Sequence, residues 1–155
     1  MEKILQQRFG MEVIRPSVRA SKNGKHMEID VLAYANSRIN QVYLVEVKSH
    51  VREESIIQIK TLLEHFRSFF PEHKDKTVYG ILAAVDITPT LKGRVLDEGI
   101  YLARIHNAVF TMETPEAFQA KAYWAQKNIA YRNAAIPFDY SGCCFRITRK
   151  NNLTA

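Results

Sequence analysis

The stretch that most limits what this chain can fold into is residues 27–50, MEIDVLAYANSRINQVYLVEVKSH. It holds two apolar runs of strand length, about 27–35 and 41–48, separated by NSRIN, a segment rich in turn formers. Such a pair reads as an antiparallel hairpin. Each run nonetheless carries charge where a buried strand should be apolar: Glu28 and Asp30 in the first, Glu46 and Lys48 in the second. Charges are rarely buried without a partner or a metal.

Opposed residues of a hairpin have numbers with a constant sum. With 36–40 as the loop that sum is 76, which puts Asp30 opposite Glu46, Glu28 opposite Lys48, and Ile29 opposite Val47. Opposed side chains leave the same face, so the four charges share one face. Two carboxylates about 5 Å apart repel and destabilise a sheet unless something compensates. A hard divalent cation compensates directly, because Mg²⁺ takes carboxylate oxygens together with water and substrate phosphate. A lysine beside it can hold an attacking water or neutralise a phosphate oxygen, which suits metal-assisted phosphodiester hydrolysis. A structural ion cluster at the sheet's rim is the alternative, and a one-residue slip of register would undo the grouping.

The remaining pattern supports a mixed sheet with helices on both faces. Residues 2–9 read as a short helix closed by Gly10. Residues 11–18, MEVIRPSV, read as a strand with Pro16 at an edge or end, and 19–26 as a polar turn or loop. Residues 52–70 place Ile56, Ile59, Leu62, Leu63, Phe66 and Phe70 at helical spacing. The run 77–87, TVYGILAAVDI, reads as a strand covered on both faces. Residues 88–99 read as a helix with Thr88 as its N-cap and Pro89 in its first turn. IYLARI and NAVFTM supply a strand or two at the sheet edge, and 115–135 reads as a further helix. Asp86 is expected to cap the helix after it. Tyr123, Trp124 and Tyr131 are expected to form a packing stripe, with base stacking as the alternative.

At 155 residues the chain is long enough for one domain with its own core. No run approaches the roughly 18 apolar residues of a membrane span, and MEKILQQRFG lacks the features of a secretory signal. With adjacent Cys143 and Cys144 expected to be reduced, a cytoplasmic protein without membrane partners is expected. The net charge of +6 is uneven. Residues 1–116 carry 16 basic and 15 acidic side chains, whereas 117–155 carry six basic and one acidic. We therefore divide the chain into a core, 1–116, and a basic extension, 117–155, that belongs to the same unit or forms a dimer contact. A basic tail draws a protein toward polyanions or toward a partner subunit. His26, His50, His65, His73 and His106 are scattered without metal-ligand spacing, and His50 reads as a loop residue, with the rim of the site as the alternative.

The motif EID, then sixteen residues from Asp30 to Glu46, then EVK, resembles the PD-(D/E)XK nuclease superfamily, in particular uncharacterised prokaryotic members with EID…EVKS motifs. The similarity covers about residues 2–112 and includes the order of helix and apolar strand that follows. It implies an α/β, three-layer, restriction-endonuclease-like domain with a mixed central β-sheet flanked by helices. It implies a metal-dependent nuclease acting on nucleic acid, DNA first, with Asp30, Glu46 and the Val47 carbonyl as ligands of Mg²⁺ or Mn²⁺. Lys48 would then activate water and stabilise the transition state. Glu28, Gln58 and Glu2 are accessory candidates, and Lys60 and Arg67 are candidates for phosphate contact. A catalytically inactive module of the same fold, binding nucleic acid or a protein partner, is the alternative, and residues 115–135 offer a route to a homodimer.

Overall fold

The computed structural model describes residues 1–123. Nine elements follow one another: α1 (Glu2–Gln7), β1 (Val13–Lys22), β2 (Lys25–Tyr34), β3 (Gln41–His50), α2 (Glu53–Phe69), β4 (Thr77–Asp86), α3 (Pro89–Asp97), β5 (Tyr101–His106) and β6 (Val109–Met112), with a single 3₁₀ turn at Pro71–His73 after α2. The six strands form one sheet in sequence order. The first three are antiparallel, β3–β4–β5 are parallel, and β6 returns antiparallel to β5. This is an α/β domain with a mixed sheet flanked by helices, as the sequence predicts.

The sheet divides the interior in two. On one side α2 and α3 pack Ile56, Ile59, Leu63, Phe66 and Val95 against Val42, Leu44, Val78, Leu82 and Leu102. On the other, α1 contributes Leu5 against Tyr43, Val45, Ile81, Ala83 and Ala103. Strands β3, β4 and β5 supply side chains to both cores, which is why β4 reads as an unbroken apolar run. α1 ends as expected: the Gly10 N–H donates to the Gln6 carbonyl, and Gly10 adopts a left-handed φ of 68°. α3 begins at Thr88, whose Oγ1 accepts from the Leu91 N–H. Asp86 does not cap it; its carboxylate turns to His50.

Other expectations fail too, His50 among them, since it ends β3 and does not lie in a loop. Residues 19–26 are not a loop. β1 runs on to Lys22 and β2 begins at Lys25, joined by a two-residue turn with Asn23 at φ 52° and Gly24 at φ 73°. Asn-Gly takes this doubly left-handed turn readily, and its twist matches that of the strands, so the polar residues become the outer face of a hairpin. Residues 115–123 are not helical. Their main chain crosses to other elements instead, Lys121 N–H to the Gly99 carbonyl and Tyr123 N–H to the Val78 carbonyl, and the Tyr123 ring is buried in the α2-side core. The rest of that expected helix, with Trp124, Tyr131 and both cysteines, lies outside the described residues. Finally, the expected pairs Ile29–Val47, Asp30–Glu46 and Glu28–Lys48 do not form. The β2–β3 pairing has the expected sum of 76 but ends at Val31↔Val45.

Beyond that point the β1–β2 hairpin bends toward α2. Val18, Met27 and Ile29 join the α2-side core, and Lys22 Nζ reaches the Ser68 carbonyl in the last turn of α2 at 2.6 Å. Ser17, directly before Val18, has φ 50°, a strained value for a residue with a side chain. The bend and the end of the β2–β3 ladder therefore fall together.

His73 closes the α2-side core from below. Its ring sits 4.6 Å from that of Tyr34 and 5.8 Å from that of Phe66, and its Nδ1 is buried without a hydrogen-bond partner. Burial lowers the imidazole pKa below 6.5. A group depressed in the folded state adds stability above its unfolded pKa and loses it as pH falls through the folded value. Stability measured by urea unfolding is therefore expected to drop as pH falls below 6.5, and His73→Phe is expected to flatten that dependence.

Candidate active site at the strand fork

In an antiparallel ladder, narrow hydrogen-bonded pairs alternate with wide ones. The Ala35 N–H donates to the Gln41 carbonyl, so the bonded pairs recur every second residue and Val47 should pair with Ile29. Because β2 bends away, Ile29 is withdrawn. The Asp30 carboxylate takes its place, with Oδ2 accepting from the Val47 N–H at 2.7 Å. A side chain thus bridges the mouth of a fork between two strands. The Val47 carbonyl points to the same side as its N–H and so faces into the fork, where the Val47 side chain is 37% exposed.

Glu46 lies one residue before, with only 4% of its surface exposed. Its Oε1 accepts from Lys48 Nζ at 2.7 Å and from Gln58 Nε2 at 3.0 Å. The first donor comes from the same face of β3 and the second from the second turn of α2. Burial pushes the Glu46 carboxyl above the usual range, Lys48 opposes that shift, and the negative charges of Asp30 and Glu28 reinforce it. Lys48 and Gln58 are therefore brought onto Glu46, and Asp30 lies near enough for its charge to act on the same carboxylate. Among the described residues no group of three or more His, Cys, Asp or Glu side chains is placed to hold a metal ion. The oxygen donors available at the fork are the Asp30 and Glu46 carboxylates and the Val47 carbonyl.

The other candidates are placed elsewhere. Glu28 projects from the hairpin's outer face, where Arg19 donates to it through both Nε and Nη2. Glu2 lies on α1, exposed, with Gln6 as its hydrogen-bond partner; α1 packs on the face of the sheet opposite to α2, which carries Gln58. Lys60 pairs with Glu98 at 2.8 Å, tying α2 to the end of α3. Arg67 is a structural residue: its guanidinium donates to the Tyr123 and Lys76 carbonyls, so its expected phosphate contact is replaced by a role in holding the chain after β6.

One pair escaped the sequence. His50 and Asp86 face each other in the β3–β4 register, with Nδ1 and Oδ2 3.2 Å apart. His50 follows Glu46 and Lys48 along β3 at intervals of two, which was visible in the sequence. The parallel register that brings Asp86 alongside was not.

No protein-family model matches the chain, and no curated protein matches it. Among solved structures the chain is similar to a complex of EndoMS with dsDNA (21% identity, TM-score 0.44), to EndoMS in its apo form (21%, 0.43) and to a repair endonuclease from Pyrococcus abyssi (20%, 0.45). Each alignment covers 68% of this chain and 42–44% of the other, so the chain spans less than half the length of these neighbours.

The fork bond is directly testable. Asp30→Ala leaves the Val47 N–H to water and is expected to cost about 1 kcal/mol in urea unfolding without divalent ions. Asp30→Asn, which keeps an acceptor oxygen, is expected to retain most of that stability. Equal losses in the two variants would show that the bond does not hold the fork.

Proposed function

We propose that this protein hydrolyses phosphodiester bonds in nucleic acid, with DNA as substrate and Mg²⁺ or Mn²⁺ as cofactor. The observation that carries this reading is the fork itself. It gathers two carboxylates, a free-facing carbonyl, a lysine and a glutamine at the point where two strands separate. The donor set is all oxygen, carries two negative charges and is only half neutralised by Lys48, which is the chemistry a hard divalent ion satisfies. Asp30, Glu46 and the Val47 carbonyl are its ligands in this proposal. The order and pairing of α1 to β5 agree with a PD-(D/E)XK, restriction-endonuclease-like core.

A cation held there supplies Lewis-acid stabilisation of charge on the phosphate. Lys48 holds the attacking water beside the phosphorus and places its own charge against the phosphate oxygens. Gln58 fixes the Glu46 carboxylate from α2, so that the acid's orientation is set by a rigid element. Asp30 is fixed by the Val47 N–H through Oδ2, which leaves Oδ1 for the ion.

A second reading is a nuclease-fold module that binds without cutting. The placement of Glu2 on α1, across the sheet from α2, and the lack among the described residues of three His, Cys, Asp or Glu side chains grouped for a metal favour it. Thermal unfolding and cleavage assays separate the two. In the nuclease reading Mg²⁺ raises the Tm of the unaltered chain, because it binds only the folded state, and leaves that of Glu46→Gln unchanged. Cleavage of mixed DNA and RNA substrates with Mn²⁺ is expected to fall about 100-fold or more in Lys48→Ala. No Tm response to either ion, with no cleavage, would overturn the nuclease reading and favour the module.

A further inference from the structure

We infer that Lys48, His50 and Arg52 form a phosphate track leading out of the fork along the carboxyl end of β3, on which a nucleic-acid strand lies. The inference rests on the nuclease reading and names the surface that reading lacks. In open α/β sheets ligands collect outside the carboxyl ends of parallel strands, and β3 and β4 end here side by side. Lys48 and His50 leave the same face of β3, two residues and so about 7 Å apart, a step commensurate with successive phosphates of a nucleic-acid strand. The pairing with β4 continues past the strand, since the Val51 N–H donates to the Asp86 carbonyl at 3.0 Å. The path is therefore built on fixed backbone.

The three differ in what they already meet. Lys48 pairs with Glu46, and Asp86 engages Nδ1 of His50, whose side chain is 72% exposed. Arg52 is exposed and, among the described residues, has no ion pair. Its own backbone is pinned: its N–H donates to Ser55 Oγ and its carbonyl accepts from the Ser55 N–H. It stands at the N-cap of α2, where the helix dipole disfavours a cation and Ser, Thr, Asp or Asn is preferred. A residue that opposes its local structure without a compensating contact points to function. Asp86 pairs with His50 and Glu53 with Arg94, so neither of these carboxylates pairs with Arg52. A polyanion passing the fork would supply the missing partner.

The test is equilibrium binding of the full chain to a short fluorescein-labelled DNA duplex, read by anisotropy across a salt series in EDTA. Binding is thus measured without cleavage. Arg52→Gln is expected to reduce the slope of log K against log[salt] by about 0.9, the value for one phosphate contact. Arg38→Gln removes the same charge from the β2–β3 loop at the far end of the sheet and is expected to leave the slope unchanged. His50→Ala is expected to weaken binding about threefold or more. An unchanged slope in Arg52→Gln, an equal fall in Arg38→Gln, or unchanged affinity in His50→Ala overturns the track. If the slope falls as expected while the unaltered chain cleaves nothing, the track stands and the nuclease reading fails.

Discussion

The site depends on one hydrogen bond, from the Val47 amide to the Asp30 carboxylate. A sheet that paired β2 with β3 along their whole length would use that amide in the ladder and leave no room beside Glu46. By bending β2 away at Asp30 and answering the vacated donor with a carboxylate, the chain keeps its backbone groups satisfied while opening the sheet. The Ser17 backbone, at φ 50°, lies on the neighbouring strand at the same level. Strain of this kind costs about 1–3 kcal/mol and persists only where the surroundings enforce it. Here the enforcing contacts are Val18, Met27 and Ile29 in the α2-side core and Lys22 on the end of α2.

α2 therefore does two jobs through different faces. Ile56, Ile59, Leu63 and Phe66 bury it against the sheet, which fixes its distance and tilt. Gln58, on the outer side of the same helix, then arrives at Glu46 with its orientation already determined. Nearly complete burial of Glu46 would be costly for an isolated carboxylate. Two hydrogen bonds to one of its oxygens, one of them from the Lys48 ammonium, reduce that cost without removing it, as the upward displacement of its pKa indicates. The residual imbalance of charge is a property of the folded chain alone, and it is what makes a cation at this position physically reasonable.

How much of this was legible in the sequence follows from how local each signal is. The β2–β3 register could be read because a five-residue loop fixes it, and Val31↔Val45 and Tyr34↔Val42 obey it. The helix at 53–69 and the strand at 77–86 announced themselves by apolar period. The fork could not be read, since it depends on Ile29 preferring the α2 side over its ladder position, a competition decided by tertiary packing. The β1–β2 hairpin was legible from Asn23-Gly24, but the polar flanks Arg19, Ser21 and His26 disguised it as a loop. At 115–123 helical spacing was present, yet burial of Tyr123 and its bond to Val78 prevailed over helix propensity.

Arg67 and Lys48 show why charge alone is a poor guide to such sites. Both are basic residues on elements that border the α2-side core, and both looked suited to phosphate. Arg67 is half-buried and meets main-chain carbonyls, acceptors with no net charge, which hold a guanidinium in place but give a phosphate no opening. Lys48 meets a carboxylate that itself lies at an open fork, so its side chain stays 25% exposed and its ammonium keeps donors to spare. What separates a structural cation from a candidate catalytic one is thus the kind of acceptor it faces and whether solvent reaches the pair. Both are settled by where β2 leaves the sheet.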